Sequence, residues 1–190
     1  MFGLSVAIAT PFDKNDKIEV NEFRKQISNL LTSKIDSITF FGTTGEGPSI
    51  SFSEKIQTLE YLLSYELTPK QIYVSIIQSN YKSAQIEIDK YNELGINKFL
   101  VSPPFFFKEL DKNALEKWFI NLFSKISNEN KIILYNIPQI TKIKIKADLI
   151  KNLQEKFGKN FIKGVKDSSG DINQTNQYLK SNKIMTTVGD

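Results

Sequence analysis

The chain has 190 residues, with 25 lysines and arginines against 21 acids and neither histidine nor cysteine. Those absences exclude disulfide frameworks, thiolate metal sites and every triad or metal centre built on histidine. Interspersed charges argue against nucleic acid, and no apolar run reaches the ~20 residues of a membrane span, so a cytoplasmic protein without a signal peptide is expected.

Strands and helices alternate along the chain. Leu4 to Ala9 reads as a short strand closed by Thr10-Pro11-Phe12, and Val20 to Leu31 carries helical spacing at Val20, Phe23, Ile27, Leu30 and Leu31. Ser37 to Phe41 reads as a strand that runs into Gly42-Thr43-Thr44-Gly45-Glu46-Gly47-Pro48. A capping box, Ser51 with Glu54, opens the next helix. Ile72 to Ile77 is the third strand, followed by a helix from Lys82 to Leu94 that stops at Gly95. Lys98 to Val101 is the fourth strand, with Phe105-Phe106-Phe107 beyond it and a helix around Leu115 to Ile126. Lys131 to Asn136 is the fifth, closed by Ile137-Pro138, and a helix spans Ala147 to Phe157. The sixth strand begins at Phe161. Asp171 and Gln174 are expected to cap the helix that runs to Leu179, and Ile184 to Val188 is the seventh strand. Seven strands alternating with six helices imply an α/β fold with a parallel sheet and right-handed crossovers. The polar residues gather after many strand ends, which is the habit of a barrel rather than of an open sheet.

Three of those strand ends carry chemistry. In Phe161-Ile162-Lys163-Gly164-Val165-Lys166-Asp167, regular alternation puts Ile162, Gly164 and Lys166 on one face, with Gly164 leaving volume beside the lysine stem. A buried amine is more readily neutral, and a neutral amine attacks a ketone to form a Schiff base. The competing reading is a lysine reaching from a strand end into solvent. The Gly42–Gly47 loop can turn amides and two hydroxyls toward a carboxylate, or can serve as an ordinary strand-to-helix turn. Tyr135 in Tyr135-Asn136-Ile137-Pro138 can relay a proton, or can be a core tyrosine.

Taken together, Gly42-Thr43-Thr44-Gly45-Glu46, Tyr135-Asn136-Ile137-Pro138 and Gly164-Val165-Lys166-Asp167 resemble the motifs of the dihydrodipicolinate synthase and N-acetylneuraminate lyase family of class I aldolases. Ala9-Thr10-Pro11-Phe12 resembles that family's first strand end. The resemblance implies a (β/α)8 TIM barrel without metal or organic cofactor, acting on pyruvate and an aldehyde. It implies that Lys166 forms the Schiff base, Tyr135 moves protons with Thr43 in the relay, and Thr44 binds the pyruvate carboxylate. Ser168, Gly189 and Asp190 are implied to contact the substrate. A homotetramer is expected of the complete protein.

The same resemblance separates two branches. The synthase branch places an arginine two residues after the proline of the tyrosine motif, where this chain has Ile140, and a tyrosine in the cluster that here reads Phe105-Phe106-Phe107. An aliphatic side chain cannot clamp a carboxylate. A lyase or aldolase cleaving a 2-keto-3-deoxy sugar acid or an N-acetylneuraminate-like substrate is therefore expected, with 4-hydroxy-tetrahydrodipicolinate synthase as the alternative. Barrels of this type run to about 250 residues, so residues 1–190 are expected to form a single barrel domain lacking its last βα unit and C-terminal helices. A non-catalytic fragment of the family is the reading from another class.

Overall fold

A computed structural model of the chain describes residues 3–65, 67–107, 110–181 and 184–189. They form two compact units, Met1–Ser75 with Lys90–Asn97, and Ile76–Asp89 with Lys98–Asp190.

The first unit holds β1 (Ser5–Ala7), β2 (Ser37–Phe40) and all but the last residue of β3 (Ile72–Ile76), which pair in parallel and in chain order, Ser5 with Ser37 and Ile38 with Ile72. β2 and β3 are buried along their whole length. This is why they read as continuous apolar runs rather than alternating ones. Helix α1 (Val20–Leu31) turns Phe23 and Ile27 inward, and Phe23 meets Phe40 of β2 at 5.6 Å between ring centroids. Helix α2 (Phe52–Leu63) starts as its sequence dictates. The Ser51 hydroxyl accepts from the Glu54 N–H at 3.3 Å, and the Glu54 carboxylate accepts from the Ser51 N–H at 3.3 Å.

The second unit contains β4 (Lys98–Val101), β5 (Lys131–Asn136), β6 (Ile162–Asp167) and β7 (Met185–Val188), again parallel and in chain order. Helix α3 (Tyr81–Glu93) begins in this unit. Helices α4 (Lys112–Phe123), α5 (Pro138–Thr141), α6 (Ala147–Phe157) and α7 (Ile172–Lys180) connect its strands. Phe119, Phe123, Phe157 and Phe161 form one aromatic cluster, with neighbouring centroids 5.5 to 5.8 Å apart. The Gln154 amide fastens α6 to the Ile162 carbonyl of β6 at 3.0 Å.

Four expectations need correction. Seven α-helices stand among the described residues rather than six, because a single turn, α5, follows β5. Pro138 at its start presets the helical φ, and four residues are too few to show a period. Gln174 does not cap α7. The Asp171 carboxylate accepts from the Asn173 and Gln174 N–H groups, while the Gln174 side chain donates to the Ile145 carbonyl and the Tyr178 hydroxyl. On β6, Ile162 pairs with Ile132 but Gly164 pairs with Ile133. Lys163 is an extra residue in a bulge, so the face shared by Ile162, Gly164 and Lys166 is broken between the first two. Gly164 does not leave volume for the lysine stem either. A Cβ there would lie 2.0 Å from the Met185 carbonyl oxygen, so the glycine lets the β7 backbone approach.

That last contact has a measurable consequence. Gly164→Ala drives a methyl group against the Met185 carbonyl and is expected to destabilise the protein by about 1–3 kcal/mol, read as a lower denaturant midpoint. An unchanged midpoint would mean that β7 does not pack there.

Candidate active site

Two groups of functional candidates have their own geometry, one in each unit. In the second, strand register sets Tyr135 beside Lys166 and Asn136 beside Asp167. Successive strand residues face opposite ways, so the two pairs serve two faces. The Lys166 Nζ stands over the Tyr135 ring, 4.8 Å from its centroid. An ammonium in that position is attracted by the negative face of the ring. Tyr135 is buried and Lys166 half-buried. Gly189, just past β7, completes the group. A Cβ on it would lie 2.4 Å from the Ser168 Oγ and 3.1 Å from the Lys166 Cε. Glycine is therefore the residue that lets a hydroxyl and an amine share this space. Lys166, Tyr135, Ser168 and Gly189 stand close together in this unit, and Asp190 lies outside the described residues.

The opposite face holds the group in place. Asp167 is buried, and its carboxylate accepts from the Asn136 amide at 2.8 Å, the Thr175 hydroxyl at 2.6 Å and the Ser169 N–H at 3.1 Å. Burial by itself would raise this carboxyl. The donors from Thr175, Asn136 and Ser169 outweigh it and hold the group below its ordinary range. The Asp167 carbonyl also accepts the Gly189 N–H at 2.9 Å, and the Asn136 carbonyl accepts the Ser168 N–H at 2.9 Å. The sequence reading gave Asn136 and Asp167 no role of their own. Each directly follows a candidate catalytic residue, and that was the available signal.

In the first unit, Gly42 to Gly47 form a tight double turn. The Gly42 carbonyl accepts from the Gly47 N–H at 3.0 Å, and the Thr43 carbonyl from the Glu46 N–H at 3.1 Å. The Thr10 hydroxyl, from the end of the first strand, donates to the Gly45 carbonyl at 2.7 Å. Phe41 and Glu46 both take left-handed backbone, φ 56° and 51°. Such strain in a non-glycine residue persists only where its surroundings impose it, and it concentrates at functional loops. The imposing neighbour is Gly47, where a Cβ would come within 1.8 Å of the Phe41 carbonyl oxygen. Thr43 and Thr44 are exposed. Within the described residues of this unit nothing pairs with the Thr44 amide or hydroxyl, which suits an incoming carboxylate. Among the described residues no three acidic groups gather as a metal site.

Seven parallel strands joined by helices, with polar groups gathered just past the strands' carboxyl ends, define the class as a partial (β/α) barrel. The chain belongs to the dihydrodipicolinate synthetase family, whose model matches residues 1–189. It is 31% identical over 194 residues to a 4-hydroxy-tetrahydrodipicolinate synthase of Wigglesworthia glossinidia brevipalpis, a match covering 99% of this chain and 62% of that protein. It is also 31% identical over 175 residues to the 2-dehydro-3-deoxy-phosphogluconate/2-dehydro-3-deoxy-6-phosphogalactonate aldolase of Sulfurisphaera tokodaii, covering 90% of this chain and 56% of that one. The crystal structure of dihydrodipicolinate synthase from Agrobacterium tumefaciens superposes with a TM-score of 0.95 at 31% identity, covering 100% of this chain and 67% of that one. The chain spans about three fifths of the length of the curated relatives it matches.

The Asp167 carboxylate should leave a signature in acid. Its folded value lies below the ordinary 3.8. Its stabilisation is therefore complete above that value and is lost as pH falls through the depressed folded value. Asp167→Asn cannot accept from donors on both sides and is expected to cost about 1–3 kcal/mol at neutral pH. Below pH 3.8 the wild-type Tm should fall more steeply than that of the variant. Parallel profiles would show that this carboxyl is not held ionised by its donors.

Proposed function

We propose that the protein is a pyruvate-dependent class I aldolase that cleaves a 2-keto-3-deoxy sugar acid or N-acetylneuraminate-like substrate to pyruvate and an aldehyde. The observation that carries this reading is the Lys166 amine over the Tyr135 ring, with Gly189 beside both the lysine stem and the Ser168 hydroxyl. In the proposed reaction, the Lys166 Nζ lone pair attacks the keto carbon of the substrate, and loss of water gives an imine that is then protonated. The carbon–carbon bond breaks with its electron pair drawn into the protonated imine, forming an enamine, while the hydroxyl proton of the departing aldehyde is taken up. Tyr135 is the proposed proton carrier in these steps, with Thr43 in its relay. Protonation of the enamine and hydrolysis release pyruvate and return the lysine. Thr44 is proposed to hold the carboxylate by its amide and hydroxyl, and Ser168 to hold the remaining chain of the substrate.

The branch is read from two positions. Ile140 is 52% exposed on α5, so no carboxylate clamp stands there. Phe106 and Phe107 are exposed and offer no hydroxyl. The synthase reading keeps one observation in its favour, the 31% identity to the Agrobacterium synthase and the Wigglesworthia synthase. The family's names cover both reactions. A cytoplasmic, tetrameric enzyme of the relatives' full length, with residues 1–190 forming one barrel domain, completes the proposal. No helix among the described residues is long and apolar enough to cross a membrane.

Borohydride reduction in the presence of pyruvate, followed by digestion and mass spectrometry, is expected to place the adduct on Lys166. An adduct elsewhere, or none at saturating pyruvate, would sink the assignment. Lys166→Ala should abolish turnover, and Tyr135→Phe should slow it by about 10²–10⁴-fold. Comparing kcat/KM for keto-deoxy sugar acid cleavage with that for pyruvate plus aspartate semialdehyde decides the branch. Cleavage is expected to dominate, and a wide preference for the semialdehyde would make the protein a synthase with its clamp elsewhere.

A further inference from the structure

We propose that the second unit carries a separate pocket for a small organic anion with a short aliphatic portion. The pocket encloses about 220 Å³ and shares no lining residue with the lysine–tyrosine group, so it does not depend on the imine chemistry. Four lysines line it: Lys112, Lys142, Lys144 and Lys146. Its apolar lining includes Leu115, Ile143 and Leu149.

Three of the lysines have a simple local cause. Residues 142–146 alternate lysine with Ile143 and Ile145, and both isoleucines are buried. The lysines must then point away from the core. A solvated face would explain them, but it does not explain where the fourth comes from or where Lys146 stands. Lys112 is the first residue of α4, and Lys146 is the N-cap of α6, where no side chain accepts from the first turn. A helix start carries roughly half a positive charge and favours acids or hydroxyl caps. Two helices thus begin with a lysine where helix electrostatics disfavour one, and both lysines line the same pocket.

Nearby acids offset part of this charge without lining the pocket. Asp111 caps α4 by accepting from the Ala114 N–H, and Asp148 sits in the first turn of α6. Asp171 approaches Lys144 at 3.7 Å, and Lys142 donates to the Gln139 carbonyl at 3.0 Å. Among the described residues no carboxylate lines the pocket. Four exposed lysines, one of them already within reach of Asp171, and two helix starts stand over an aliphatic floor, a setting that an organic anion can join. Such a conflict between local preference and tertiary placement is the mark of a site. The volume lies below the roughly 300–1,000 Å³ of drug-sized sites, which limits the ligand to a short-chain phosphate monoester or carboxylate. Both offer the same chemistry, an anionic head on an alkyl stem.

The test titrates the protein with butyl phosphate, pentanoate, inorganic phosphate and butanol, following the NMR methyl signals of Leu115 and Leu149. Both organic anions are expected to shift these signals saturably, the tighter one naming the head group, with inorganic phosphate weaker and butanol inert. Lys146→Ser supplies α6 with a cap, so it should raise the Tm of the free protein while weakening the organic anion by roughly fivefold or more. Lys112→Glu should weaken it similarly. No saturable shift from either organic anion overturns the proposal, as does binding unaltered in both variants. Inorganic phosphate binding as well as the organic anions would reduce the pocket to bare surface charge. A Tm unchanged or lowered in Lys146→Ser would remove the electrostatic conflict on which the proposal stands.

Discussion

A buried carboxylate has to be surrounded by donors, and in the second unit Asp167 recruits them from three directions. Asn136 comes from β5, Thr175 from α7, and the Ser169 N–H from the turn that β6 enters. The Asn136 side-chain Oδ1 in turn accepts the Ile145 N–H at 3.0 Å, extending the network to the segment after α5. An unpaired charge at this depth would cost several kcal/mol in effective terms, so these elements cannot drift apart without a penalty. Lys166 and Ser168 are the chain neighbours of Asp167. Their positions are inherited from the anion behind them, which is how a candidate site acquires rigidity from residues that never touch a substrate.

The first unit reaches the same end without charge. Its loop is held by close backbone approach, with Gly47 against the Phe41 carbonyl and Gly45 carrying the Thr10 hydroxyl bond. The left-handed Phe41 is the cost of that compactness. A loop built this way presents amides and hydroxyls instead of a fixed charge, in keeping with the carboxylate-binding role proposed for Thr44.

Membership of the family and choice of substrate rest on different parts of the chain. The strand-end motifs carry the family. The proposed choice of branch rests instead on single positions on α5 and in the segment after β4, where Ile140 and the phenylalanines stand exposed. These positions bear little of the fold's packing, so they can change without disturbing the strands. That freedom is consistent with relatives named as synthases and as aldolases matching this chain at the same 31% identity.

The sequence by itself determined the order of strands and helices, the capping box at Ser51, and the placement of Lys166, Tyr135 and the Gly42–Gly47 loop at strand ends. Each of these is written in a few neighbouring residues, as a period, a cap or a turn. Only the tertiary structure decided the bulge at Lys163, the service of Gly164 to the β7 backbone, the gathering of Asn136 and Thr175 on Asp167, and the placing of Lys112 and Lys146 on one pocket. These depend on which residue of one strand lies beside which residue of another, tens of positions away. A register slip of one residue turns every side chain to the opposite face. No local pattern carries that information. It is fixed when the strands pair and the helices pack over them.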